Sequence, residues 1–222
     1  MTNSSKELHL VIIWENGRHK ENEVLEFLNS KFEVVEKYKI KWDKALFGKN
    51  LTTFYGKNLP PNSGKEKHVG NGEFLLITFY DKMPIYEYSL SSKGTVNVNI
   101  NLFRTKEKLR NLTGGGHKIH STNTTEETNH DLILLLGVNY DDYETLINLK
   151  NKYDNNNVIK EKLNNITGVN GWKNLKQLFY VLNHTTEYVV LRNFEELPDN
   201  YHSKIHGDID LLVKDLLQTV II

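Results

Sequence analysis

Two stretches of this 222-residue chain combine residue types that do chemistry. The first runs from Gly114-Gly115-Gly116 through His117-Lys118-Ile119-His120 to Ser121-Thr122-Asn123-Thr124. Glycines let backbone come close to a phosphate, a short strand then presents an imidazole, and hydroxyl and amide side chains follow where a helix begins. A helix start offers unbonded N–H groups and the positive end of its dipole to an anion. Arg104, Lys106, Lys108, Arg110 and Lys118 lie shortly before the histidine and supply charge against phosphate. In that setting a histidine takes up a phosphoryl group as a nucleophile. The plainer reading is a glycine- and threonine-rich surface loop carrying one of the chain's nine histidines.

The second stretch is His206-Gly207-Asp208-Ile209-Asp210-Leu211-Leu212-Val213. Carboxylates at i and i+2 on a strand face the same way, so Asp208 and Asp210 suit one divalent cation such as Mg²⁺. Metal-dependent nucleotidyl transfer uses such a pair to hold a triphosphate and activate the attacking hydroxyl. A polar strand end whose aspartate pairs with a nearby lysine is the alternative. His117, His120 and His130 offer three imidazoles, but no carboxylate motif completes a metal set around them.

These residues need elements to hold them. Residues 8–14 form an apolar run with a β-branched centre, a buried strand. Val24, Leu25, Phe27 and Leu28 recur at helical spacing within residues 20–31, and residues 32–42 alternate as a second strand. A short helix over residues 51–55, a loop over 57–72 and a nearly all-apolar strand over 73–80 follow. Val96, Val98 and Ile100 alternate with asparagines as a half-exposed strand or edge hairpin. A short strand then ends at His120, and Ser121 to Thr124 cap a helix over 125–136 that Gly137 stops. That order predicts an α+β sandwich with a largely antiparallel sheet. The Asn-rich stretch 148–170 predicts an exposed linker with a short helix over 158–163. It divides a domain over residues 1–147 from a small α/β module over 171–222. In that module Trp172, Leu175, Leu178, Phe179 and Leu182 share a helix face, residues 188–191 and 209–213 are strands, and 214–222 starts another helix.

Composition limits what this architecture can do. Lys plus Arg and Asp plus Glu both count 28, so the formal net charge is zero and a dedicated duplex-DNA binder is excluded. No cysteine is present, which excludes a disulfide scaffold, a thiolate zinc site and a cysteine nucleophile. Hydrophobic residues make up 38%, enough for a buried core. The longest apolar runs are about four residues, too short for a membrane span. The polar start Met1-Thr2-Asn3-Ser4-Ser5 lacks a signal-peptide core. The expectation is a cytoplasmic protein.

The stretch Gly116-His117-Lys118-Ile119-His120-Ser121-Thr122-Asn123-Thr124-Thr125-Glu126 resembles the active-site segment of nucleoside diphosphate kinases. In that family a strand ends in the phosphorylated histidine, followed by Gly-Ser-Asp and a helix with spaced acidic residues. On that resemblance His120 matches the nucleophile, Thr122 the serine, Asn123 the aspartate, and Asp131 the glutamate that orients the imidazole. The strand over 8–14 with Asn16-Gly17 is similar to the family's opening strand and turn. Tyr55 is similar to the tyrosine of its base-binding helix, and residues 72–80 to its third strand. The resemblance spans about residues 7–140. It implies a ferredoxin-like antiparallel sheet with helices on one face, a nucleoside triphosphate as phosphoryl donor, Arg104, Arg110 and Lys118 on its phosphates, and a homo-oligomer. The family's catalytic lysine after the first strand is Trp14 here, and the asparagine three residues before the nucleophile is His117.

Residues 172–222 are similar to the opening of bacterial nucleotidyltransferase-like proteins often associated with surface-polysaccharide genes, in a strand, a loop and the Gly207-Asp208-Ile209-Asp210 run. The usual Gly-Ser after the first strand is Arg192-Asn193. The third carboxylate of such a site falls on a later strand, so a fragment of a longer protein, completion by a partner or a vestigial half is expected. Three functions result. The first is a nucleotide-binding phosphotransferase with His120 as phosphoryl carrier and an unknown acceptor. The second is a nucleotidyltransferase using Asp208 and Asp210, and the third a non-catalytic nucleotide-binding module. The first ranks highest, because the histidine motif is the longest local match.

Overall fold

Alternation along the first strand decides how the chain is layered. In the computed structural model, which describes residues 6–60, 63–91, 94–153, 159–201, 203–216 and 219, β1 (Glu7–Ile13) sends Leu8, Leu10 and Ile12 into one core and Val11 and Ile13 into another. A strand hydrophobic at every position must be covered on both faces. Two elements take one face: α1 (Glu21–Lys31), through Val24 and Leu28, and the later helix α4, through Leu102 and Leu109.

The next elements are β2 (Glu33–Ile40), α2 (Phe47–Tyr55), the short α3 (Gly64–Val69) and the fully buried β3 (Phe74–Asp81). A hairpin of β4 (Tyr86–Ser91) and β5 (Gly94–Asn99) leads into α4 (Ile100–Leu112). The Val-Asn alternation is thus an edge hairpin, as expected, but Ile100 already belongs to α4, which Asn99 caps by accepting from the Asn101 amide at 3.0 Å. Then come β6 (Ile119–Ser121), α5 (Thr125–Leu136), α6 (Tyr140–Tyr153) and β7 (Ile159–Lys162). The chain continues through α7 (Leu175–Thr185) to a hairpin of β8 (Tyr188–Val190) and β9 (Leu211–Val213).

The main sheet has the order β6-β1-β3-β2-β7. Its first four strands pair antiparallel throughout, and with α1 and α4 as crossovers they form the ferredoxin-like split βαβ arrangement. The α+β class with an antiparallel core is therefore as the pattern predicted. Two details differ. Helices cover both faces, since Leu132 to Leu135 of α5, Leu51 and Phe54 of α2, and Tyr143 and Ile147 of α6 pack on Leu8, Leu10 and Ile12. The sheet also gains a parallel edge, because β7 pairs with β2 from Lys37–Ile159 to Ile40–Lys162.

That edge corrects the linker reading. Residues 159–162 form a strand instead of a helix, while residue 158 lies outside the described residues. Ile166 and Val169 are buried in the core of the α5 face. Asn50 Oδ1 accepts from the Ile166 amide at 2.7 Å, and Lys162 Nζ donates to the Leu136 carbonyl at 3.0 Å. Further on, α7 rests on α5 and places Val181 in the same core. Of the helix expected over 214–222, residues 217, 218 and 220–222 lie outside the described residues. No helix among the described residues is long and apolar enough to cross a membrane.

Candidate functional site

β6 is only three residues long, yet its register fixes the site. His120 lies opposite Ile12 of β1, so its imidazole points to the face covered by α2 and α5. Thr124 ends the turn after β6 and caps α5, its hydroxyl accepting from the Glu127 amide at 3.2 Å. The first turns of α5 then bring Asp131 back over the strand. His120 Nε2 donates to Asp131 Oδ2 at 2.6 Å. Asp131 is buried and the His120 side chain is 15% exposed. Among the described residues nothing else hydrogen-bonds the ring, so the Nε2 proton leaves a lone pair on Nδ1.

Electrostatics keep that lone pair available. Burial pushes the His120 imidazole below its ordinary value, overcoming the pull of the Asp131 carboxylate, and Lys106 adds to the depression. Burial also works against the Asp131 carboxylate, but His120 and His130 outweigh it and hold Asp131 ionised below the usual range. A neutral imidazole oriented by an ionised carboxylate is the resting form of a nitrogen nucleophile or general base.

The walls of the niche are aromatic on one side and cationic on the other. Phe54 and Tyr55 meet the His120 ring edge-on at centroid distances of 5.1 and 5.9 Å. Behind them Trp14 is fully buried against Trp42, Phe54, Tyr55 and Phe74, and among the described residues its indole Nε1 has no well-formed hydrogen bond. Lys65 of α3 places its ammonium 3.0 Å over the centre of the Tyr55 ring. His68 stacks obliquely on His117 at 5.5 Å. Burial, together with the charges of Lys65, Arg110 and His68, pushes the His117 imidazole down, which marks a convergence of cationic groups beside the strand.

No protein-family model matches the chain, and no curated protein matches it. Among solved structures it is similar to an orthorhombic crystal form of the Aquifex aeolicus nucleoside diphosphate kinase, at 12% identity and a TM-score of 0.37. That similarity covers 58% of this chain and 93% of the other. The chemistry of the site rests on its own geometry.

Of the residues expected at a phosphate site, the structure brings together His120, Asp131, Tyr55 and Arg110. It sends the others elsewhere. Arg104 leaves α4 on a different side from Arg110 and lines a separate groove of about 440 Å³ with Phe27, Phe32, Lys82 and Lys108. Lys118 donates to the Thr113 carbonyl at 2.8 Å. The Thr122 hydroxyl, matched by the resemblance to a serine of the phosphate site, is buried beside Thr128 Oγ1 at 3.0 Å and accepts from the Leu10 amide at 3.2 Å. The Asn123 amide and side chain both donate to Glu127 Oε2, which occupies the place an anion would take at the start of α5.

The glycine run is likewise engaged. Gly114, Gly115 and Gly116 have φ of 82, 80 and 74°, a conformation other residues adopt only under strain. The amides of Gly114 and Gly115 close α4 by donating to the Asn111 and Arg110 carbonyls. The run is a helix stop that bends the chain back to β6, with two of its amides unavailable to a phosphate. Lys106 Nζ and Arg110 Nε in turn donate to the Ser121 and Ile119 carbonyls, at 2.7 and 3.3 Å, which blunts the outer edge of β6.

The Asp208 and Asp210 pair is not on a strand, since β9 begins at Leu211. Asp210 is ion-paired with Arg192 across the hairpin. Among the described residues no group of three or more His, Asp or Glu side chains is placed to hold a metal ion. The Arg192 pairing engages one of the two carboxylates expected to hold a cation. His130, read from the sequence only as one of three imidazoles, has its Nδ1 3.1 Å from Asp131 Oδ1. Its position directly before Asp131, on the helix that orients His120, was the available signal of that contact.

Proposed function

We propose that this chain is a nucleotide-dependent phosphotransferase in which His120 carries the phosphoryl group. The 2.6 Å contact between His120 Nε2 and Asp131 Oδ2 carries this reading, because it holds the proton on Nε2 and makes Nδ1 the nucleophilic nitrogen, while burial keeps the imidazole uncharged. Nδ1 gives its lone pair to the terminal phosphorus of a nucleoside triphosphate. The N–P bond forms as the P–O bond to the leaving diphosphate breaks, and the diphosphate departs with the electron pair. Positive charge developing on the ring is met by the Asp131 carboxylate through the Nε2 proton. A second substrate oxygen then takes the phosphoryl group and restores the imidazole.

Lys65 and Arg110 supply the cationic flank for the phosphate chain, with the His68 and His117 rings alongside, and Tyr55 offers a ring beside it. This set takes the place of Arg104 and Lys118, which the family resemblance implied. No step is routed through a protein-bound metal, and magnesium enters only with the nucleotide.

The test is incubation of the full chain with γ-³²P-ATP or γ-³²P-GTP and Mg²⁺, beside His120→Ala, with acid-labile protein label as the readout. Label on the wild type that the variant lacks supports the carrier. Absence of label on a folded wild type overturns it. Burial of Trp14 where the related kinases place a lysine favours a second reading, a nucleotide-binding module without turnover. Nucleotide binding that His120→Ala leaves unchanged, with no label, selects that reading.

A further inference from the structure

Asp131 stands between two imidazoles. Its Oδ2 takes the Nε2 proton of His120 at 2.6 Å, and its Oδ1 lies 3.1 Å from Nδ1 of His130. The side chains of His120, Asp131 and His130 are 15%, 6% and 21% exposed, so a buried carboxylate joins two part-buried rings. A carboxylate bonded through one oxygen turns readily about its last torsion, which is broad and nearly two-fold. Bonding through both oxygens removes that freedom. We propose that His130 is a positioning residue for His120, fixing through Asp131 which nitrogen of His120 bears the proton and how much negative charge supports the ring.

The two protonation states of His130 differ in what they offer His120. With His130 neutral, its Nδ1–H holds Oδ1, the unit of His130 and Asp131 carries one negative charge, and Oδ2 stays on His120 Nε2. When His130 takes a proton on its outer nitrogen, the same contacts remain but the unit becomes neutral. His120 then loses support for the positive charge that develops as Nδ1 bonds phosphorus. His130 thus sets the readiness of His120. The groups acting on His120 from the packed elements are Asp131 and Glu127 of α5, Lys106 of α4 and the Phe54 and Tyr55 rings of α2. Of these, Asp131 is the group that His130 touches.

The inference rests on His120 as the reactive group, while its test needs no turnover. Imidazole ¹⁵N spectra of the full chain are recorded across pH for the wild type, His130→Asn and His130→Ala, with His120→Gln assigning the His120 signals. Asparagine keeps an N–H near the place of Nδ1 and lacks the titrating ring. In the wild type, His120 bears its proton on Nε2 and its signals move twice with pH, once with its own titration and once with that of His130. In His130→Asn the tautomer is kept and the second inflection is lost. In His130→Ala a fraction of the Nδ1–H tautomer appears. A His130→Asn titration of His120 that superimposes on the wild-type curve overturns the proposal, even if His130→Ala fails to fold. Loss of the phosphotransferase reading would show instead as absent radiolabel with these spectral changes intact.

Discussion

Ile12 of β1 and His120 of β6 are register partners at the edge of the sheet, and that single pairing places the imidazole under α5, where Asp131 reaches it. Shifting the register by one residue would turn His120 to the α4 face and bring Ile119 under Asp131. The dyad therefore depends on the strand and on the helix separately. Asp131→Asn keeps the shape of the carboxylate and removes its charge. It offers Nε2 either an amide oxygen or an N–H, and the second would shift the His120 proton to Nδ1. Phosphohistidine formation is expected to fall by about 10²-fold or more while the fold is kept. Labelling kinetics with a circular dichroism control check this, and an Asp131→Asn protein that labels at the wild-type rate sinks the role assigned to Asp131.

Acid should destabilise the protein in two windows. Burial makes folded His120 a poorer proton acceptor than the unfolded chain, whose imidazole titrates at the ordinary value of 6.5. The unfolded state then binds more protons, so stability contributed above 6.5 is lost as pH falls toward the lowered folded value. Asp131 acts in the same direction at lower pH. Its contribution is present above the ordinary 3.8 and is lost as pH falls through its depressed value. Each group changes stability by at most about 1.4 kcal/mol per pH unit. Urea midpoints measured between about pH 8 and about pH 2 should decline in two steps, and His120→Gln should remove the upper one. A midpoint unchanged across that range in the wild type contradicts the burial argument.

Trp14 stands where the sequence resemblance implies a lysine, and its ring is fully buried within 4.7 Å of Phe74 and 5.6 Å of Trp42, centroid to centroid. Trp14→Lys would put an ammonium into that aromatic cluster and leave a cavity, a cost of about 3 kcal/mol or more. Lower thermal stability with no gain in labelling is expected. Trp14→Phe keeps a ring and removes the indole N–H, so its cost should be smaller, about 1–2 kcal/mol. A Trp14→Lys protein as stable as wild type and faster in labelling would reverse this account.

The strand, turn and capped helix around His120 were legible because they are local: Thr124 caps α5, Gly137 ends it, and the spacing of 120 and 131 carries one turn from strand to helix. Residues whose roles depend on direction were harder to read. Arg104 and Arg110 are six positions apart, so at about 100° per residue they leave α4 about 120° apart. Lys106 and Arg110, four apart, share a side instead, and both reach the carbonyls of β6. Thr122 follows the end of β6, where the alternation that orients His120 no longer applies. The sequence Ile159-Lys160-Glu161-Lys162 hid β7, since only one of its residues is apolar and asparagines flank it. Its partner strand and its ion pairs, both distant in sequence, make it a strand.

Those ion pairs give the last test. Glu36 of β2 is 4% exposed at its side chain, and its two oxygens are held by Lys150 of α6 at 2.8 Å and Lys160 of β7 at 3.1 Å. One buried carboxylate thus ties two elements from beyond residue 139 to the ferredoxin-like sheet. Tyr38 and Tyr143 extend the tie through a 3.0 Å hydroxyl contact, and Thr78 joins at 3.1 Å. Glu36→Gln removes the charge that both lysines face and leaves the amide partly unsatisfied, costing about 1–3 kcal/mol. Lys160→Met should cost less than about 1 kcal/mol, because that lysine is 44% exposed and water screens its charge. Urea unfolding of both variants checks the order. If Lys160→Met proves the more damaging, β7 is held by the Lys160 ammonium on the Tyr38 ring, 5.2 Å from its centre, more than by the carboxylate. If neither matters, the buried Glu36 has no part in joining β7 and α6 to the sheet.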